Sequence, residues 1–348
     1  MKKFMALILT LTTICGLVAC GGNSKEELKA NTDNPATAAE EKTYTIKLPN
    51  IYGETHFENA IYKEYFIPQL EERSNGTLKV ELYPNSTLAT DEEIYAGIRS
   101  GVYKMGITSV IFQDLLPQVG ALQLPFLFED FAHAKEYVFD KGYGVKLAEG
   151  SEEIGFKVLT CVSNGFRVMT LNKKIESMND FKGFKMRTAN YQNMVDCFTH
   201  LGCVVTPMAM SEIFTALEQK VVDGQENPPA TIYSSGWYEI QDYMLLSNHV
   251  FTPDFLMVNC DFWNNLSDSQ RTVLQEVANE TAELIWARAE ESYFEDVETM
   301  KTESGIEVYS PSAEFRQAMV EATSPMYDTF YAAHPEYKDM YEEMRNHS

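Results

Sequence analysis

Residues 206–228 read TPMAMSEIFTALEQKVVDGQENP, and the elements in that stretch decide how the chain around it is organised. Ser211 to Gln219 is predicted to be a helix, and the segment after it is extended. Gly224 gives the backbone freedom there. Pro228 disfavours the helical conformation for the residue before it and is itself suited to start a helix. Asn227 is therefore placed to be a helix N-cap. The stretch completes an alternation of extended and helical segments that begins near Phe166 and includes a helix near Tyr191 to Leu201.

A separate alternation precedes it. Residues 43–51, TYTIKLPNI, alternate polar and apolar side chains as a strand does, and His56 to Glu72 has helical spacing at Phe57, Ala60, Ile61, Tyr65 and Leu70, disturbed by Pro68. Asn75-Gly76 marks a turn before TLKVELYP, in which Leu78, Val80 and Leu82 share a face. A helix from Asp91 to Ser100 and a strand near Lys104 to Val110 complete a βαβαβ order, which predicts a parallel, helix-flanked sheet. After His249 comes another extended stretch. Ser267-Asp268-Ser269-Gln270 then has the form of a capping box opening a long helix, with Val273, Leu274, Val277, Ala278, Leu284 and Ile285 as its apolar face.

The expected fold class is α/β with two lobes. Residues 43–165 with 250–310 form lobe I, 166–249 form lobe II, and 311–348 are a C-terminal helical region. Crossings near Gly165 and Val250 make a hinge, and the long helix braces both lobes. Hinged pairs of this kind close around ligands.

The N-terminus is of a different character. Met1-Lys2-Lys3 leads into an apolar run from Phe4 to Ala19, broken at Cys20-Gly21-Gly22, and this has the basic, apolar and small-residue parts of a secretory signal. The run of roughly 16 residues is shorter than the ~20 needed to span a bilayer. Residues 1–19 are read as a lipoprotein signal peptide, because Leu17-Val18-Ala19-Cys20 resembles the bacterial lipobox, whose cysteine is acylated. Residues 20–42 are a tether nearly devoid of large apolar side chains, too polar to offset the entropy cost of ordering. The chain is thus expected outside the cytoplasm, lipid-anchored to a bacterial membrane through Cys20.

With 51 acidic and 28 basic residues the formal net charge is −23, which argues against nucleic acid as a partner and requires that any anionic ligand be held by particular cations. Four cysteines lie in the body, Cys161, Cys197, Cys203 and Cys260. Cys197 with Cys203 is the nearest pair; disulfides and buried thiols both fit the spacing.

Motifs of catalysis and cofactor binding are missing from the sequence. No Gly-rich phosphate loop, HExxH, GxSxG or Ca²⁺ loop occurs, and no two histidines are spaced as a metal pair on a helix face. No cofactor or metal is expected. The alternative to a binding protein is a secreted hydrolase whose site is assembled in space from distant residues.

Residues 206–228 resemble the signature of the solute receptors of tripartite ATP-independent periplasmic (TRAP) transporters, in which a PMxxSExYxALQ helix leads into VDGQENP. Further blocks stand in the same order: SNGTLKVELYPNSTL from Ser74, LPFLF from Leu124, NGFRVMTLN from Asn164, DFKGFKMR from Asp180 and YEIQDYMLLSNH from Tyr238. The resemblance covers roughly residues 43–332. It implies a two-lobed periplasmic-binding-protein-like fold and delivery of a small organic acid to a sodium-coupled membrane permease.

The resemblance also implies site residues. The Arg that ends the KGxKxR block is the carboxylate anchor and falls on Arg187. Phe184 and Met186 alternate with Lys185 and Arg187, so in a strand this Arg leaves the core face, and a guanidinium can grip both carboxylate oxygens. Arg167 matches a second Arg near the ligand, and Asn227 a polar contact. His56, Asp91 and Ser109 occupy positions that some relatives use on the ligand side. Met210 stands where a sugar-acid-binding relative has Phe. Losing that flat ring tips the expected solute toward a dicarboxylate or another small carboxylate.

Overall fold

The computed structural model describes residues 41–346. Its strands are β1 Tyr44–Pro49, β2 Leu78–Tyr83, β3 Met105–Thr108, β4 Phe156–Phe166, β5 Val168–Leu171, β6 Lys185–Thr188, β7 Val204–Pro207, β8 Gly224–Asn227, β9 Tyr243–Leu245, β10 Phe251–Asn259 and β11 Glu307–Tyr309. They form three sheets: β1-β2, β3-β10-β4, and the six-stranded β11-β9-β5-β8-β6-β7.

The parallel β1–β2 pair follows the sequence reading, with Ile46 opposite Val80. The third strand of that reading departs from it. β3 is hydrogen-bonded antiparallel to β10, with Phe255 opposite Thr108, and β10 is antiparallel to β4. Periodicity identifies a strand but not its partner, and here the partner arrives some 150 residues later in the chain. The four cysteines of the body are free thiols, with Cys161 and Cys197 buried.

The helix expected from His56 to Glu72 forms as Phe57–Ile61, a π turn over Tyr62–Phe66, and Ile67–Arg73. Pro68 lacks an N–H and its ring crowds the carbonyl four residues back. The wider turn just ahead of it, closed by the Ile67 N–H on the Tyr62 carbonyl, absorbs that conflict.

Three crossings join the three-stranded and six-stranded sheets. β4 passes into β5 through Arg167 alone, β9 passes to β10 through residues 246–250, and β10 passes to β11 through the long helix. The Arg167 N–H donates to the Val250 carbonyl at 2.8 Å, so the two short crossings are tied together. Gly165 beside them has φ +107°, a conformation that favours glycine.

The long helix Asp268–Ser304 starts in a complete capping box, Ser267 with Gln270, and ends at Gly305 in the left-handed conformation. Its 37 residues make a rod about 55 Å long. Leu274, Val277, Ala278, Ile285 and Trp286 are buried, and the Trp286 indole donates to the Cys161 carbonyl of β4 at 3.1 Å. Leu284, expected on the apolar face, is 41 % exposed. The helix packs on β4, on the helices of residues 57–73, and on Pro229–Ser234 and β11. It therefore braces both halves of a two-lobed α/β fold. β11, which the sequence boundary at 310 grouped with the first lobe, pairs in parallel with β9 of the six-stranded sheet.

Candidate ligand-binding site

A cavity lies where the short crossings meet, lined from one side by Tyr52, Ser86, Thr90, Asp91, Ser109 and Asn164, and from the other by Arg167, Arg187, Tyr191, Met208, Met210 and Asn227. Its mouth is bridged. Tyr191 donates its hydroxyl to Asp91 Oδ2 at 2.8 Å, and Asn190 Nδ2 donates to Glu92 Oε1 at 3.0 Å.

Arg187 sits on β6 with its neighbour Met186 in the core, as the alternation requires. The side opposite the core is the cavity wall, so Arg187 is only 3 % exposed. One nitrogen donates to the Met208 carbonyl at 2.7 Å, while Nε has no partner. Among the described residues no carboxylate forms an ion pair with it. Burial draws its pKa down to about 10, with Glu226 opposing that shift, which leaves it cationic at neutral pH. A buried guanidinium without a counterion is costly, and a bidentate anion in the cavity relieves that cost.

Arg167 differs in kind. It holds the Glu226 carboxylate through Nε and through Nη2, the latter at 2.9 Å. Nη2 also reaches Asn227 Oδ1 at 2.9 Å, and Nη1 reaches the Thr252 hydroxyl at 3.2 Å. Its charge is spent on Glu226, which is held below the usual carboxylate range by Arg167 and His249 against the opposing effect of burial. Asn227 is not an N-cap: the cap of the helix Pro229–Ser234 is Pro228. Its amide donates to Gln225 at 2.8 Å, which fixes it beside Arg167.

On the facing wall, Asp91 begins the helix Asp91–Ser100 behind a Thr90–Glu93 capping box. It is buried, its Oδ1 has no partner, and burial pushes its carboxyl up to about 7. The Ser109 hydroxyl lines the cavity but donates to the Pro253 carbonyl at 2.8 Å. Met210 lines both this cavity and an adjoining one with Phe214 and Trp237.

His56 is the exception among the expected residues, because it does not line the cavity. It caps the helix Phe57–Ile61, accepting from the Glu58 N–H, and its ring stacks on Tyr52 at 4.5 Å with Nε2 3.3 Å from Asn164 Oδ1. Burial lowers its pKa to about 3, so it is a neutral support for two residues that do face the cavity.

Tyr52, Asn164, Tyr191 and Glu226 were not singled out from sequence. Asn164 and Glu226 stand inside the quoted NGFR and GQEN blocks, where a polar residue within a buried strand was the available signal.

Ser247, His249 and Glu226 form a chain of the type a hydrolase needs, with Ser247 Oγ 2.8 Å from His249 Nδ1 and His249 Nε2 3.3 Å from Glu226. All three are fully buried, none lines the cavity, and Glu226 is committed to Arg167. That arrangement orients Arg167 and presents no nucleophile to a substrate. Among the described residues no group of three His, Cys, Asp or Glu is placed to hold a metal ion.

Residues 53–334 match the model of the family described as DctP, bacterial extracellular solute-binding protein, family 7. The chain is 31 % identical over 266 residues to the sialic acid-binding periplasmic protein SiaP of Vibrio cholerae, covering 75 % of this chain and 80 % of that protein. It is 32 % identical over 260 residues to the C4-dicarboxylate-binding periplasmic protein DctP of Rhodobacter capsulatus, covering 74 % and 78 %. Among solved structures, a TRAP periplasmic solute-binding protein from Haemophilus influenzae with bound L-gulonate superposes with a TM-score of 0.83 at 34 % identity, covering 86 % of this chain and 98 % of that one.

Proposed function

Because the chain belongs to the DctP-type extracellular solute-binding proteins, the non-catalytic receptors of TRAP transporters, we propose that it holds one small organic acid by its carboxylate on Arg187. A general role in binding a small organic acid outside the cytoplasm comes with the family. The carrying observation for the anchor is Arg187 itself, buried in the cavity wall with a free Nε and no counterion among the described residues. Arg167, neutralised by Glu226, orients Asn227 and the floor of the site.

In this reading the lobes that close on the solute are residues 43–165 with the chain from 250 into the long helix, and residues 166–249 with β11. The closed receptor then docks on a sodium-coupled permease, and the body stays near the membrane through a lipid on Cys20. Cys20 and the tether up to residue 40 lie outside the described residues.

The test is calorimetry on folded Arg187→Ala and Arg187→Lys proteins with an acid that wild type binds. Losing one partner of a buried charged pair costs about 2 to 5 kcal/mol, roughly thirty-fold to a few thousand-fold in affinity. Lysine offers a point charge in place of the planar fork and does not restore binding. Either variant binding within about threefold of wild type, ~0.65 kcal/mol, removes Arg187 as the anchor.

A further inference from the structure

We propose that the site selects acids with a single carboxylate and a hydroxyl at the far end, and that Asp91 is the residue that rejects a second carboxylate. The proposal rests on Arg187 as the carboxylate anchor and adds the chemistry of the rest of the ligand. Its basis is the charge balance of the cavity. Of the two guanidiniums on the wall, Arg167 is matched by Glu226, so Arg187 supplies the one uncompensated positive charge.

The opposite wall is acidic. Asp91 lines it, and Glu92 stands at the mouth. Asp254 lies directly behind Asn164, which donates to it at 3.1 Å, and Glu58 is buried close to Asp254. A second carboxylate reaching this wall meets no cation among the described residues and, once Asp91 is ionised, a like charge, an arrangement that costs affinity.

Asp91 also has something to offer. One oxygen is held by the Tyr191 hydroxyl, and the other is buried and unpartnered on a side chain that lines the cavity. A buried acceptor without a donor is destabilising until one is supplied. A ligand hydroxyl is the neutral donor that fits. The preference for a dicarboxylate drawn from Met210 rested on the loss of one aromatic ring; the charge balance outweighs it, since hydroxyl groups find their partners in Asp91, Asn164 and Thr90 without a flat platform.

Matched acids test this. L-gulonate and D-glucarate differ only in that the terminal CH2OH of the first is a carboxylate in the second, and D-galactonate and galactarate are related in the same way. Calorimetry on the full extracytoplasmic chain at pH 8, where the Asp91 carboxyl is ionised, is run with both pairs, succinate and lactate. At least one hydroxy monoacid is expected to bind tenfold or more tightly than its diacid twin and than succinate. Asp91→Asn, which keeps the shape and removes the charge, narrows that ratio at least threefold.

A diacid within threefold of its monoacid twin, tightest binding by succinate or lactate, or no binding by any of the acids overturns the inference. So does an Asp91→Asn protein that melts cooperatively and keeps the wild-type ratio. Diacid binding within threefold of the monoacid twin that is abolished in Arg187→Ala overturns it while leaving the anchor intact. Binding that survives Arg187→Ala overturns the anchor.

Discussion

Asp91 ties the stability of the empty receptor to pH. Burial raises its carboxyl from an ordinary 3.8 to about 7, so between those values the folded chain holds a proton that the unfolded chain has released. The folded state then binds more protons, and this contribution falls as pH rises from about 4 to about 7. Asp91→Asn removes the fall: relative to wild type the variant gains up to about 4 kcal/mol across that interval. Urea unfolding at pH 4.5 and pH 7.5 measures it, and an unchanged difference between the two proteins rejects the assignment. His56 acts with the opposite sign, since its pKa drops to about 3 and the unfolded chain gains protons first as pH falls below its ordinary 6.5. At this scale alternation along one strand takes Arg187 off the core face, and it was the resemblance of the KGFKMR block that marked it as an anchor. The Glu226 partner of Arg167 was not legible, because it depends on the register that sets Val168 opposite Asn227 and Met169 opposite Glu226. The hydroxyl bridge from Tyr191 to Asp91 joins residues 100 apart, and no local pattern encodes such a meeting.

Among elements, the loop after β1 comes very close to the helix Pro229–Ser234. A Cβ added at Gly53 would stand 2.3 Å from the Ser234 carbonyl oxygen, a contact between segments assigned to opposite lobes. Overpacking a fitted contact costs about 1–3 kcal/mol. If the contact forms on closure, Gly53→Ala lowers ligand affinity roughly five- to 150-fold and leaves the melting temperature of the ligand-free protein within a few degrees of wild type. An unchanged dissociation constant shows that this contact plays no part in closure. Elements themselves were largely readable from sequence. The helices at Asp91–Ser100 and Gln192–Leu201 and the Ser267 capping box appear where spacing and caps place them. Pro68 announced a disturbance, and the π turn is the form it takes. What spacing did not convey was pairing: β10 carries an uninterrupted buried run, Phe251–Asn259, which identifies a central strand without naming β3 and β4 as its neighbours.

For the whole molecule, a net charge of −23 bears on the lipid proposed for Cys20. An acidic body gains nothing from anionic headgroups, so under that proposal retention at a membrane depends on the acyl chains. Cys20→Ser is expected to shift the protein from the membrane fraction to the soluble one or to leave it unprocessed; an unmodified Cys20 on correctly processed wild-type protein ends that reading. The closed mouth has a further consequence, in time. With Arg187 at 3 % exposure and Tyr191 and Asn190 bonded across to Asp91 and Glu92, release of a bound acid is expected to require parting of the two walls. Its residence time is then the waiting time for that parting, set by the bonds at the mouth. Tyr191→Phe removes one hydrogen bond to a carboxyl, about 1.5–3 kcal/mol, so stopped-flow displacement should show release quickened roughly ten- to 150-fold with association changed less than about threefold.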